Sequence, residues 1–211
     1  MAKKTKTVNE QRTLSHLIAY YETCNRCENK SPKTINWYTE ILRQFESYLK
    51  SRHLPTAIES LDIKIIRDYL VYLLKRPKYE THPTRQPSGD MLSKSTIHGH
   101  VRTLRAFFSW LNREELYLND ISRNLKPPKV PVKLITTLSE TEIKTIIDTF
   151  NKRNPIDMRN LAIFMLMIDT GLRIGEVINL KIEGIHQDEG ILVVMGKGQK
   201  ERMISVYQAY L

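Results

Sequence analysis

The chain has 211 residues, of which 41% are hydrophobic, enough for the core of one large domain or two small ones. No apolar run approaches the roughly 20 residues of a membrane-spanning helix, and the basic N-terminus lacks the apolar stretch of a signal peptide. The two cysteines, Cys24 and Cys27, cannot build a disulfide framework, and a zinc site needs two further ligands. We therefore predict a cytoplasmic protein that uses no metal and no cofactor.

The charge of the chain is distributed unevenly. Lysine and arginine number 33 against 23 acidic residues, a net charge of +10 at pH 7 that favours a polyanionic partner. Residues 1–133 contain 24 basic and 13 acidic residues, whereas residues 134–211 contain 9 and 10, so the net charges are +11 and −1. A basic excess confined to one part of the chain is typical of a module that binds nucleic-acid phosphates.

Four amphipathic helices are predicted in the first part. Apolar residues recur at helical spacing over residues 13–26, 32–52, 62–75 and 95–111. Ser31 followed by Pro32 predicts one helix start, and either Ser93 or Ser95 is predicted to cap the fourth helix. Residues 76–93 contain three prolines and a glycine and are predicted to form a loop. Four such helices can bury a common core as a small bundle.

The helical pattern breaks at residues 127–131, where three prolines hold the chain extended at the place where the charge changes. Beyond the break, Ser139 followed by Glu142 predicts a capping box. The remaining predictions are a buried helix over residues 161–168, a left-handed turn at Gly171, a helix from about residue 173 to 180, and strands over 191–195 and 203–206.

Two short segments in this second part resemble a known family. Asp169-Thr-Gly-Leu-Arg-Ile-Gly-Glu176 places an arginine at a glycine-marked helix start, and Gly196-Lys-Gly-Gln-Lys-Glu-Arg202 places a lysine at the tip of a predicted hairpin. Together they resemble the first two active-site elements of the tyrosine site-specific recombinase, or phage integrase, family. The resemblance covers nearly the whole chain, through residues 31–48, 95–111, 119–129, 138–143 and 180–185.

The resemblance implies a mainly α fold. Its N-terminal part is a four-helix core-binding bundle of the SAM-like type, and its second part is a partial α+β recombinase catalytic domain with a small β-hairpin or sheet. We assign residues 1–12 to a basic flexible tail, 13–117 to the core-binding domain, 118–135 to a linker and 136–211 to the partial catalytic domain. In the family the two domains hold opposite faces of a DNA duplex. The expected partners are therefore double-stranded DNA and other recombinase protomers on it, with no membrane and no small-molecule substrate.

Strand transfer through a pentacoordinate phosphorus builds negative charge on oxygen, which an arginine fork stabilises at any working pH. Arg173 matches the family's first catalytic arginine, and Glu176, three residues on, is within reach to orient it. Lys197 matches the hairpin lysine that serves as general acid, with Lys200 as the rival for that role.

DNA contacts are predicted at two helix starts of the first part. Lysines, hydroxyls and backbone donors cluster there and suit phosphate oxygens. Two arginines of the fourth helix are added, of which Arg105 matches a family position. The full set is Lys33, Thr34, Lys94, Ser95, Thr96, Arg102 and Arg105.

Residues 1–211 contain no match to the family's later active-site elements, the His-x-x-Arg element and the nucleophilic tyrosine. The string His82-Pro-Thr-Arg85 precedes the Arg173 segment, and Tyr207 and Tyr210 follow the hairpin too closely. We therefore expect this chain alone not to cut DNA. It is interpreted as a truncated recombinase or as a short DNA-binding modulator of a full-length recombinase. A general helical nucleic-acid binder is disfavoured by the paired motifs.

Overall fold

The computed structural model describes residues 12–80, 84–119, 121–131, 134–196 and 200–206. The chain divides into two units, Met1–Lys133 and Leu134–Leu211. The first is helical, and the second combines helices with a small antiparallel sheet, so the predicted fold class is confirmed. None of the helices in the described ranges is long and apolar enough to cross a membrane.

In its described residues the first unit contains four α-helices: α1 (Leu14–Cys27), α2 (Pro32–Ser51), α3 (Ile63–Leu74) and α4 (Lys94–Arg113). Each begins after a residue whose side-chain oxygen accepts a hydrogen bond from a backbone N–H of the first turn, and these residues are Thr13, Ser31, Asp62 and Ser93. Of the two serines considered for α4, Ser93 is therefore the cap. The predicted loop after α3 contains no helix in its described residues.

The helices bury one continuous core. Its largest fully buried side chains are Phe45 of α2, Tyr69 of α3, and Phe107 and Phe108 of α4. Ring contacts connect the helices, as between Phe45 and Tyr69, whose centroids lie 5.0 Å apart. Burial of each large apolar side chain stabilises the unit by roughly 1.5–3 kcal/mol, so the bundle's stability comes from this core.

One polar pair lies inside the core. The Tyr69 hydroxyl and His100 Nδ1 are 3.1 Å apart, and His100 is 4% exposed. Burial lowers the pKa of the His100 imidazole to about 4, and the charge of Arg76 adds to the effect. His100 is therefore neutral in the folded unit at neutral pH.

We expect the first unit to become less stable as the pH falls through the range in which unfolded histidine is protonated. Because the pKa of His100 is depressed in the folded state, the unfolded state binds more protons below about pH 6.5. The stability is complete above that pH and decreases down to about pH 4, by roughly 3 kcal/mol in total. Urea unfolding at a series of pH values measures this loss.

A His100→Gln variant isolates this contribution, since glutamine does not titrate. Its unfolding free energy is expected to depend on pH less steeply than that of the wild type between about pH 6.5 and 4. The matched control is His98→Gln, because His98 is only half-buried and stands on the same helix. Parallel pH profiles for the wild type and His100→Gln would contradict the assignment.

Where the structure describes it, the second unit contains three α-helices, α5 (Glu140–Asp148), α6 (Pro155–Thr170) and α7 (Ile174–Ile178), and three strands, β1 (Ile185–His186), β2 (Ile191–Met195) and β3 (Glu201–Ser205). The strands form an antiparallel sheet in the order β1-β2-β3. The predicted capping box of Ser139 and Glu142 is present, and Gly171 ends α6 with a φ of 64°. The two-residue strand β1 was not predicted.

The prediction that residues 161–168 form a buried helix is half correct. These residues lie in α6, but no residue of α6 is fully buried, and Ile168 is 41% exposed. The buried apolar cluster of this unit is small and consists of Leu172, Leu192, Val194 and Val206. Within residues 161–168, Ala162 and Ile168 are exposed and the other side chains are half-buried.

Limited proteolysis of the full chain is therefore expected to cleave within residues 134–211 before it cleaves the helices of the first unit. Mass spectrometry of the time course identifies the order of cleavage. The matched control is Phe45→Ala, which removes about 3–5 kcal/mol from the first unit and should bring its cleavage forward. Equal protection of both units in the wild-type chain would refute this expectation.

Candidate active site and DNA-binding surface

Arg173 lies at the junction between α6 and α7. Gly171 takes the left-handed conformation that ends α6, Leu172 is 3% exposed, and Arg173 is the N-cap of α7 with extended backbone angles. The buried Leu172 fixes the backbone immediately before Arg173. The Arg173 side chain itself is 75% exposed and is therefore accessible to a ligand.

Glu176 anchors Arg173 from within α7, as predicted. The backbone N–H of Arg173 donates to Glu176 Oε2 at 2.8 Å, and Arg173 Nη1 donates to Oε1 at 3.2 Å. The Glu176 side chain is only 8% exposed. The backbone N–H of Arg173 is the main cause that lowers the pKa of the Glu176 carboxyl, and the charges of Arg202 and Arg173 add to it against the opposing effect of burial.

A second arginine shares this carboxylate. Arg202 of β3 donates from Nη2 to Glu176 Oε2 at 3.0 Å. Arg202 was not predicted from the sequence, although the sequence contains a signal for it. In β3, Arg202 opposes Val194 and Ile204 opposes Leu192, so strand alternation places Arg202 on the apolar face of the hairpin. A cation on such a face predicts a buried or half-buried anionic partner.

The hairpin turn is described only at its ends. Lys197, the residue that matches the general acid, lies outside the described residues. Gly196 N–H donates to the Lys200 carbonyl at 2.8 Å and closes the turn, and a Cβ at Gly196 would lie 3.2 Å from that oxygen. Lys200 is exposed, as a contact with DNA requires.

The two helix starts of the first unit have the same construction. Ser31 Oγ accepts the Thr34 N–H at 3.3 Å, and Ser93 Oγ accepts the Thr96 N–H at 3.1 Å. Both threonine hydroxyls also hydrogen-bond their cap serine, at 2.8 and 2.9 Å. Thr34 and Thr96 therefore take part in capping in the free protein. Their roles as phosphate contacts stay predictions. Lys33, Lys94 and Ser95 are exposed.

Trp37 of α2 contacts α4 near the start of that helix. It stands five residues into α2, and a Cβ on Gly99, five residues into α4, would lie 2.9 Å from its ring. The helices approach so closely because Gly99 has no side chain. At about 1.5 Å of rise per residue, each N-terminus lies roughly 7.5 Å along its own axis from this contact.

Arg102 and Arg105 extend this surface along α4. Both are exposed, and Lys94, Arg102 and Arg105 fall within an arc of about 80° on the helix, given roughly 100° per residue. We call Lys33, Lys94, Ser95, Arg102 and Arg105 the basic surface. It lies entirely in the first unit.

No group of three or more histidine, cysteine, aspartate or glutamate side chains among the described residues can hold a metal ion. Cys24 is half-buried, Cys27 is exposed, and both are free thiols.

Comparisons with known proteins agree with these features. Residues 13–126 match the model of the phage integrase SAM-like domain, and residues 136–211 match that of the phage integrase family. The chain belongs to the phage integrase family. The two matched models follow one another along the chain and together cover most of it.

Two curated relatives are similar over most of the chain. Tyrosine recombinase XerA of Pyrococcus furiosus is 32% identical over 205 residues, which is 97% of this chain and 61% of that protein. Tyrosine recombinase XerC of Halalkalibacterium halodurans is 30% identical over 179 residues, 85% of this chain and 54% of that protein. The chain thus spans little more than half the length of these relatives.

A solved structure shares the fold. A lambda integrase tetramer bound to a Holliday junction matches 92% of this chain and 50% of its own chain, with a TM-score of 0.64 at 20% identity.

Proposed function

We propose that this member of the phage integrase family binds duplex DNA and supplies the phosphate-stabilising part of a tyrosine recombinase active site. The observation that carries the proposal is that Arg173 is both held by Glu176 and exposed. Its backbone and one guanidinium nitrogen are held by the buried Glu176, while its side chain is 75% exposed. An anchored and exposed guanidinium is the arrangement that a phosphoryl-transfer site needs.

In this proposal Arg173 contacts non-bridging oxygens of the phosphate at which a DNA strand is exchanged. Those oxygens gain negative charge as the phosphorus becomes pentacoordinate, and a planar guanidinium meets two of them at once. Because Glu176 already holds the arginine, little reorganisation accompanies that contact. Lys197 is proposed to protonate the leaving 5′ oxygen, with Lys200 as the alternative donor.

The basic surface is proposed to track the DNA backbone. Lys33, Lys94, Arg102 and Arg105 supply charge, and Ser95 supplies a hydroxyl near a helix N-terminus. The relatives are named tyrosine recombinases, and the lambda integrase structure is a tetramer bound to a Holliday junction. We propose double-stranded DNA and further protomers on it as partners. A cytoplasmic location stays a prediction.

Arg173 and a hairpin lysine stabilise charge and donate a proton, but neither provides the oxygen that attacks phosphorus. We therefore expect a polypeptide of residues 1–211 to bind DNA without forming a covalent adduct. A nicked suicide duplex, followed by denaturing electrophoresis, tests this. A shifted, protease-sensitive DNA band would reveal an unrecognised nucleophile.

Fluorescence anisotropy with a labelled duplex tests the binding part of the proposal on the full chain. Arg102→Gln and Arg105→Gln are each expected to weaken binding. The matched control is Arg52→Gln, because Arg52 is exposed at the opposite end of α2 from the basic surface and the charge change is the same. Equal weakening by all three variants would show general charge attraction, and an absence of binding at low salt would refute the proposal.

A further inference from the structure

The Glu176 carboxylate is shared by two arginines that come from different elements. Arg173 reaches Oε1 from the N-cap of α7 at 3.2 Å, and Arg202 reaches Oε2 from β3 at 3.0 Å. Exposure rises across the cluster, from 8% for the Glu176 side chain to 45% for Arg202 and 75% for Arg173. The two cations therefore have different environments, and the outer one is Arg173.

The charge balance of this cluster depends on Arg202. Glu176 with Arg173 alone forms a neutral pair, in which a planar guanidinium is able to bond both carboxylate oxygens with its fork. Arg202 occupies Oε2 and gives the cluster one cation more than it has anions. A neutral pair attracts a phosphate weakly, whereas a cluster with net positive charge attracts it strongly.

The pairing of β3 with β2 fixes the position of Arg202. Arg202 opposes Val194, and Val194 is buried with Leu192 and Leu172 in the apolar cluster of the second unit. The same cluster holds the backbone before Arg173 through Leu172. The hairpin and the start of α7 are thus joined twice, by apolar contact and by the shared carboxylate.

We propose that Arg202 is a positioning residue, which holds Glu176 so that the guanidinium of Arg173 stays free to bind a phosphate. The proposal deepens the function proposed above and rests on it for the identity of the ligand. Arg202 acts through Glu176 and does not itself need to contact DNA.

The experiment uses the full chain with isotope-labelled glutamate and arginine side chains in solution NMR. In Arg202→Gln, the pKa of the Glu176 carboxyl is expected to rise toward its ordinary value, because an opposite charge within contact distance is lost. The side-chain Nε resonance of Arg173 is expected to shift as its guanidinium turns to both carboxylate oxygens. Arg159→Gln is the matched control, since Arg159 is exposed on α6 and its side chain, among the described residues, hydrogen-bonds Asn160 and not Glu176.

A double-mutant comparison separates positioning from general stability. If Arg202 acts through Glu176, then Arg202→Gln in a Glu176→Gln background leaves the Arg173 resonance where Glu176→Gln alone put it. Arg202→Lys keeps the charge, so the Glu176 pKa in this variant is expected to stay close to that of the wild type. If Arg202→Gln unfolds the second unit, Arg202→Lys is measured in its place. Two outcomes would overturn the proposal. One is that Arg202→Gln changes neither the Glu176 pKa nor the Arg173 resonance. The other is that the Glu176 pKa rises as much in Arg202→Lys as in Arg202→Gln.

Addition of a duplex DNA tests the link to function. In the wild type the Arg173 resonance should move on DNA addition, and in Arg202→Gln this movement should decrease several-fold. If DNA does not shift the Arg173 resonance of the wild type, the proposed function is wrong at this site. The measurements without DNA still decide the role of Arg202.

Discussion

The first unit, prepared as residues 1–133, is expected to lose DNA affinity by about a hundredfold when the salt concentration rises from about 50 mM to about 200 mM. The four cations of the basic surface each displace a condensed counterion when they meet a phosphate. The logarithm of the binding constant then falls with the logarithm of salt concentration with a slope of about −0.9 per phosphate contact, which gives this magnitude. The net charge of +11 in residues 1–133 acts in the same direction.

Fluorescence anisotropy across a salt series measures the slope. Arg102→Gln and Arg105→Gln should each make it shallower by about one, whereas Arg52→Gln should leave it close to the wild-type value. Binding that does not depend on salt would mean that the contacts are not made to phosphates. If the full chain binds DNA and residues 1–133 do not, the DNA-binding surface does not lie in the first unit alone.

In an active enzyme built by joining this chain to the remaining catalytic segment of a relative, Arg173→Ala should reduce DNA cleavage on the order of a thousandfold. The arginine stabilises charge on the phosphate in cleavage and again in rejoining. Lys197→Ala should cost less, because a proton donor acts on one oxygen and Lys200 is three residues away. The measurement is the rate of covalent adduct formation on a suicide duplex. The duplex carries a DNA sequence that was first selected for binding to the chain.

Arg173→Lys provides the matched variant for this prediction. It keeps the positive charge and loses the planar fork, so its activity should fall between those of the wild type and Arg173→Ala. Activity of Arg173→Ala within about tenfold of the wild type would show that another group stabilises the phosphate. A larger loss in Lys197→Ala than in Arg173→Ala would make proton transfer the dominant contribution instead.

The helical unit was predictable because its signals are local. Cap residues such as Ser31 and Asp62 stand directly before apolar residues at helical spacing, and both features appear unchanged in the structure. The approach of α2 to α4 at Gly99 was not predictable, since the contact joins residues far apart in the chain. The burial assumed for residues 161–168 failed for a related reason: apolar sequence predicts a helix that needs partners, without showing that partners are present.

In the candidate site, too, the local contact was predictable and the contact between distant residues was not. The pairing of Arg173 with Glu176 follows from their spacing on one short helix, and the structure confirms that contact. The pairing of Glu176 with Arg202 depends on how the hairpin packs beside α7, which the sequence does not state. Strand alternation marks Arg202 as unusual, but it does not name the carboxylate that Arg202 meets. The roles assigned to Lys197 and to the basic surface stay predictions.

The contact between Trp37 and Gly99 also gives the protein an optical property. The chain has two tryptophans, and they differ in access to water: Trp37 is 42% exposed, whereas Trp110 is 3% exposed. A water-soluble quencher therefore reaches one indole and not the other. Because Trp37 lies in α2 against Gly99 near the start of α4, its emission is expected to change when the basic surface is covered, while the emission of Trp110 serves as an internal reference in the same molecule.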